Sequence, residues 1–182
     1  MIKKGGKMKI IAIRHGPFSP VNGGRPTPVA LKLFYETVRS ICASLITCSA
    51  APRSRILAER YGRWHRLPVI IIENFNPLET TKFPPLFGGW LYELLHRWQI
   101  FNHLMLVLWW MGIPLFTERP VEFLERTKKG LQILQKVGQT DDILLICHQE
   151  TIIALMILLG GKRPFDALKK RIPHFYTCFF TT

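Results

Sequence analysis

The chain has 182 residues, 48% of them hydrophobic and 20% charged, enough for one full core and too few for two comfortable ones. Its formal net charge of +13 points to anionic partners, namely phosphorylated metabolites, nucleic acid or acidic lipid surfaces. That charge is spread over residues 3–9, 53–66, 128–129 and 162–171 with no zinc-finger or RNA-binding signature, which disfavours a dedicated nucleic-acid groove.

The opening "MIKKGGKMKI" is basic, and its apolar run is cut at Arg14, too short for the core of a signal peptide. Residues 9–13 form the first of five strand candidates; the others are 44–48, 69–72, 143–147 and 175–180. The first four are continuously apolar, as suits strands covered on both faces. Between them run helix candidates at 28–43, 52–64, 90–111, 119–137 and 150–159, the last stopped by Gly160-Gly161. Alternation of strand and helix predicts an α/β fold, a three-layer α/β/α sandwich with a mainly parallel, doubly wound sheet. The whole of 1–182 reads as a single domain with a helical, cap-like insertion at about 84–117.

Within that insertion, "IFNHLMLVLWWMGIPLF" (100–116) is strongly apolar, but Gly112 and Pro114 interrupt it. A spanning helix needs about 20 apolar residues, so a buried or partner-covered helix is favoured over membrane contact. The cysteines Cys42, Cys48, Cys147 and Cys178 show no CxxC pair and no metal spacing. Cys48 and Cys147 follow apolar runs and read as small buried hydrophobes in a reducing, cytoplasmic setting. No metal and no cofactor are expected, and homo-oligomerisation is left open.

In open α/β sheets, ligands bind beyond the carboxyl ends of the strands. The residues after the first four strands are Arg14-His15-Gly16, "CSAAPRSR" (48–55), "ENFNPLE" (73–79) and "CHQE" (147–150). Two histidines, at least one arginine and a carboxylate thus gather at one sheet edge. A neutral imidazole is a competent nucleophile toward phosphorus near neutral pH. Guanidinium forks cancel charge on the equatorial oxygens, and a protonated carboxylic acid can supply the leaving oxygen with its proton.

These residues resemble the histidine phosphatase superfamily, the phosphoglycerate mutase-like family, over nearly the whole chain. "IRHG" looks like its opening motif, which implies phosphorylation of His15 and a phosphate-binding Arg14. "CSAAPRSRILAERYG" is similar to its Ser-x-x-x-Arg segment and carries the second arginine onto Arg53. "ILLICHQETIIAL" looks like the late strand-His-helix motif, so His148 matches the second, phosphate-binding histidine. "NPLE" resembles the segment of the proton donor, which implies Glu79, with Glu73 as the competing carboxylate. "ERPVEFLERTKKGL" is similar to the family's later helix, with Glu118 near its start.

The departures are specific. Pro17 and Phe18 stand where the family continues with an acid or Gln and then Thr; Val21 replaces a phosphate-contacting Asn, leaving Asn22 as the candidate. Leu57-Ala58 replaces Thr-Ala, and the glycines after the donor are displaced to Gly88 and Gly89. Arg55 competes with Arg53 two positions on. His65, His96, His103 and His174 have no motif context and read as surface or core residues.

The resemblance implies a metal-independent phosphatase acting on a small phosphorylated substrate. A mutase-type phosphoryl transfer and an inactive anion- or protein-binding member are the alternatives. A basic nucleic-acid or membrane-surface protein ranks behind them.

Overall fold

The computed structural model describes residues 8–19, 23–79, 99–138, 142–169 and 172–181. In chain order the elements are β1 (Lys9–Arg14), β2 (Phe18–Ser19), β3 (Arg25–Pro26), α1 (Pro28–Val38), β4 (Leu45–Cys48), α2 (Pro52–His65) and β5 (Val69–Ile71). A single 3-10 turn (Glu73–Phe75) comes next. Then come α3 (Gln99–Trp110), α4 (Pro120–Gly138), β6 (Asp142–Cys147), α5 (Gln149–Leu158), α6 (Pro164–Lys169) and β7 (Thr177–Thr181).

Five strands form one sheet in the order β5-β4-β6-β1-β7. The first four run parallel, and β7 closes the far edge antiparallel to β1. Helices cover both faces, so the fold is the expected α/β sandwich. On one face, Ile10, Ala12, Ile143 and Leu145 pack against α4, α5 and α6 through Leu134, Ile152, Leu155 and Leu168. On the other, Ile11, Ile13, Ile46, Leu144 and Ile146 pack against Phe34 of α1 and Leu57 and Tyr61 of α2. Successive strand residues alternate between these two cores, which is why the strands read as unbroken apolar runs.

Three differences from the sequence expectation have physical causes. Helix α1 ends at Val38, five residues before the expected 43, and the Tyr61 hydroxyl donates to the Ile41 carbonyl at 2.6 Å. Ile41 and Ala43 continue the apolar spacing, but they pack as a turn leading into β4. The last strand starts at Thr177 instead of 175, because Phe175 sits at φ +58 in a left-handed turn that no strand accommodates. The two-residue β2–β3 ladder and the short α6 are too brief to give a periodic signal.

The apolar segment is helical over Gln99–Trp110; its expected start, at 90–98, lies outside the described residues. Leu106 and Trp109 join the core, while Leu104, Met111 and Ile113 are exposed. Among the described residues no helix is long and apolar enough to cross a membrane.

Because β6 is central and covered on both sides, its side chains have no room to relax. Leu145→Ala should lower stability by about 2–5 kcal/mol in urea denaturation; a loss under about 1 kcal/mol would contradict this packing.

Candidate active site

The parallel pairing of β1 with β6 places Arg14 opposite Cys147, so the next residues, His15 and His148, leave the sheet side by side. The His15 amide donates to the Cys147 carbonyl at 3.0 Å. The two imidazoles stand edge to face, with centroids 4.9 Å apart. Beside them β4 ends at Cys48, and α2 begins at Pro52, a residue suited to a first helical turn. That short connection brings Arg53 across the sheet edge, where its Nε donates to His15 Nε2 at 3.0 Å.

Hydrogen bonding fixes the state of His15. Its Nδ1 lies 2.7 Å from the Gly16 carbonyl oxygen, which can only accept, so Nδ1 holds the proton and Nε2 the lone pair. The bond from Arg53 meets that lone pair. Burial pushes the His15 pKa well below 6.5, and the charges of Arg53 and Arg14 push the same way. The Gly16 bond opposes them and does not prevail. His15 is therefore neutral at physiological pH.

His148 stands at the residue before α5 without a side-chain capping bond and is also buried; burial, then His15 and Arg53, hold it neutral. Its Nε2 lies 2.7 Å from the Ser49 hydroxyl and 3.4 Å from that of Ser54. Its Nδ1 has no hydrogen-bond partner among the described residues. Arg14 is buried, with its Nη1 donating to the Ile172 carbonyl. Arg53 is largely desolvated, which lowers its pKa, while the Glu150 carboxylate favours its charge.

Four of the residues singled out in the sequence, Arg14, His15, Arg53 and His148, thus meet at one sheet edge. Arg55 instead pairs with Glu59 on the exposed side of α2. Asn22 lies outside the described residues. Glu79 and Glu73 are both exposed; Glu79 ends the loop after the 3-10 turn, and its carbonyl accepts from the Thr117 amide at 2.9 Å. That loop is held from below. Arg126 pairs with Glu118 and donates to the carbonyls of Asn74 and Asn76, and the Asn76 side chain accepts from the Ala50 amide.

Several neighbours carry no recognisable signal in the sequence. His174 reads there as surface or core, yet its Nδ1 lies 3.0 Å from the His15 carbonyl oxygen and its ring 6.2 Å from that of His15. An antiparallel strand begins where its parallel neighbours end, so the residues before β7 arrive at the same edge. A rule confined to the residues beyond each strand's carboxyl end misses them. Ser49, unlike these, is the serine of the Ser-x-x-x-Arg segment, and the fold gives its hydroxyl a partner in His148. His103 of α3 reaches the flank, with Nδ1 3.3 Å from Gln149 Nε2. Cys48 and Cys147 are buried free thiols; burial pushes Cys48 up to about 12 and Cys147 well above the ordinary value, so neither is a nucleophile.

Gly16 is required by packing. A Cβ there would stand 2.0 Å from Phe175 Cζ. Gly16→Ala should lower the melting temperature, by about 1–3 kcal/mol in stability, and Phe175→Ala in the same chain should recover part of it. Absence of any recovery would show that the ring is not the cause.

The buried imidazoles also set a pH dependence. In the unfolded chain they take up protons near pH 6.5, whereas in the fold they stay neutral to lower pH. The unfolded state then binds more protons, so stability falls as pH drops below about 6.5. The urea midpoint should fall between about pH 7 and pH 5, and less steeply for His148→Gln. Parallel profiles would contradict the assignment.

No protein-family model matches the sequence, and no curated protein does. Solved structures do match the fold. The alpha-ribazole phosphatase of Shigella flexneri is 21% identical, with 94% of this chain and 88% of that one covered and a TM-score of 0.67. The phosphoserine phosphatase of Entamoeba histolytica is 19% identical, with coverages of 96% and 94% and a TM-score of 0.68. A mycobacterial glucosyl-3-phosphoglycerate phosphatase is 13% identical, with coverages of 95% and 89% and a TM-score of 0.73. The chain has the histidine phosphatase fold that these proteins share.

Proposed function

We propose that the protein is a phosphatase that hydrolyses a small phosphomonoester through a phosphohistidine on His15. The observation that carries this reading is the tautomer of His15: a buried, neutral imidazole with its Nδ1 proton held by Gly16 and its Nε2 lone pair aimed at Arg53. A buried imidazole lone pair needs a donor in any role; a charged guanidinium in that place also suits a nucleophile for a phosphoryl group, because the charge developing on the phosphoryl oxygens must be met by fixed donors. The phosphatases that share the fold support the same reading.

The steps derive from the donors. Phosphate displaces the Arg53 Nε from the His15 lone pair, and Arg53 and Arg14 take phosphoryl oxygens. Ser49 donates its hydroxyl proton to His148 Nε2, which keeps the proton of His148 on Nδ1 for a third oxygen. His15 Nε2 then attacks phosphorus. The phosphorus–oxygen bond to the alcohol breaks, and the leaving oxygen takes its electron pair and the proton of the Glu79 carboxyl. Water attacks the phosphohistidine next, giving its proton to Glu79 while the phosphorus–nitrogen electrons return to Nε2. Asn22 is a further phosphate contact in this proposal, and the insertion at about 84–117 serves as a cap-like element.

The test is hydrolysis of an aryl phosphate in EDTA. His15→Ala should abolish turnover, and a rapid alkaline quench of the wild type should trap a base-stable, acid-labile phosphate on His15. Glu79→Gln should slow turnover of alkyl phosphates by about 10²–10⁴ while Glu73→Gln leaves it intact. Undiminished activity in His15→Ala would overturn the mechanism, and loss only in Glu73→Gln would transfer the donor role. Phosphate binding without turnover in the wild type would identify a binding protein instead.

A further inference from the structure

Phe18 stands in the loop where the sequence leaves the polar continuation expected after Arg-His-Gly, and it brings no reactive group. Its position is nevertheless specific. The Arg53 guanidinium carbon lies 4.4 Å from the centre of the Phe18 ring. The same ring meets His15 edge to face at 74°, with centroids 5.7 Å apart. Backbone pairing fixes where that ring can be. Phe18 pairs with Pro26 and Ser19 with Arg25 in the β2–β3 ladder. The Thr27 amide donates to the Pro17 carbonyl at 3.2 Å, and Thr27 is itself the cap of α1. The ring is thus attached to the foot of a helix rather than to a free loop.

A guanidinium stacked on an aromatic face is attracted through its plane, and the N–H donors at its edge stay available. A polar side chain at position 18 would instead take one of those donors. Arginine is also rich in rotamers, and fixing it only when a ligand arrives costs affinity. Glu150 attracts Arg53 by charge.

We propose that Phe18 is a positioning residue that holds the Arg53 fork beside His15, so that when phosphate displaces its Nε from the His15 lone pair the fork stays within reach of a phosphoryl oxygen. This rests on the phosphate site proposed for His15. The Pro17-Phe18 departure thereby has a role in the site: the aromatic face supplies orientation where a polar residue would supply a hydrogen bond.

The experiment measures binding of inorganic phosphate by NMR titration, with no turnover required. Phe18→Leu should raise Kd about three- to tenfold, and Phe18→Trp should restore it, since indole presents the stronger face. In an Arg53→Gln background, Phe18→Leu should leave Kd unchanged. Equal weakening in both backgrounds would mean that Phe18 only supports the fold, and would overturn the inference. Should Phe18→Leu fail to fold, Phe18→Met against Phe18→Tyr makes the same comparison, one keeping volume alone and the other the face. If the wild type binds no phosphate, the site reading falls and this inference with it. If the wild type binds and Phe18→Leu binds equally well, only the role of Phe18 falls.

Discussion

The pairing of β1 with β6, in register from Lys9 opposite Asp142 to Arg14 opposite Cys147, is the constraint on which the site depends. Side chains alternate along a strand, so a slip of one residue would turn Arg14 away from its place and offset His15 from His148. What holds the register is burial on both faces. Ile10, Ala12, Ile143 and Leu145 belong to one core, and Ile11, Ile13, Leu144 and Ile146 to the other. A slip would still leave apolar residues on each side, but it would break the fit of every layer at once. Close packing resists that more strongly than hydrophobicity alone.

At the end of those strands the same burial acts on charge. The charges of Arg14 and Arg53 lower the proton affinity of His15 and His148, and that of Arg14 lowers His174, while burial is the largest cause for each of the three imidazoles. The outcome is a division of labour by chemistry: the guanidiniums stay charged and the imidazoles stay neutral. Such a place is costly for protons and favourable for an anion. Arg126 adds to the field at His148 while its own hydrogen bonds hold the loop that leads to Glu79. One arginine thus supports the site both by its charge and as a strut.

Much of this is legible in the residues. The four parallel strands read as apolar runs because each is covered on both sides, and the strand-end rule then collects Arg14, His15, Arg53 and His148. The departures share a cause. Helix α1 reads too long because Ile41 and Ala43 keep the apolar spacing after the backbone has turned. Strand β7 reads too early because nothing in the letters shows the positive φ of Phe175. His174 escapes because strand direction is not written in a strand: taken as one more apolar run, β7 does not reveal which of its ends carries the functional neighbours.

The sequence by itself determined the alternation of strand and helix, the double-sided core and the kinds of side chain at each strand end, since these depend on residue type and short-range periodicity. Tertiary structure decided what those side chains do. The proton on His15 sits on Nδ1 because the Gly16 carbonyl accepts it, the imidazoles are neutral because packing removes their water, and Gly16 bears no side chain because the Phe175 ring fills that space. The loop after Arg-His-Gly, unreadable as a motif, becomes a two-residue strand that lays Phe18 on Arg53. The contacts of His15 with Arg53, of Gly16 with Phe175 and of Phe18 with Arg53 join residues far apart in the chain, and distance-dependent forces act on positions in space that local sequence does not encode.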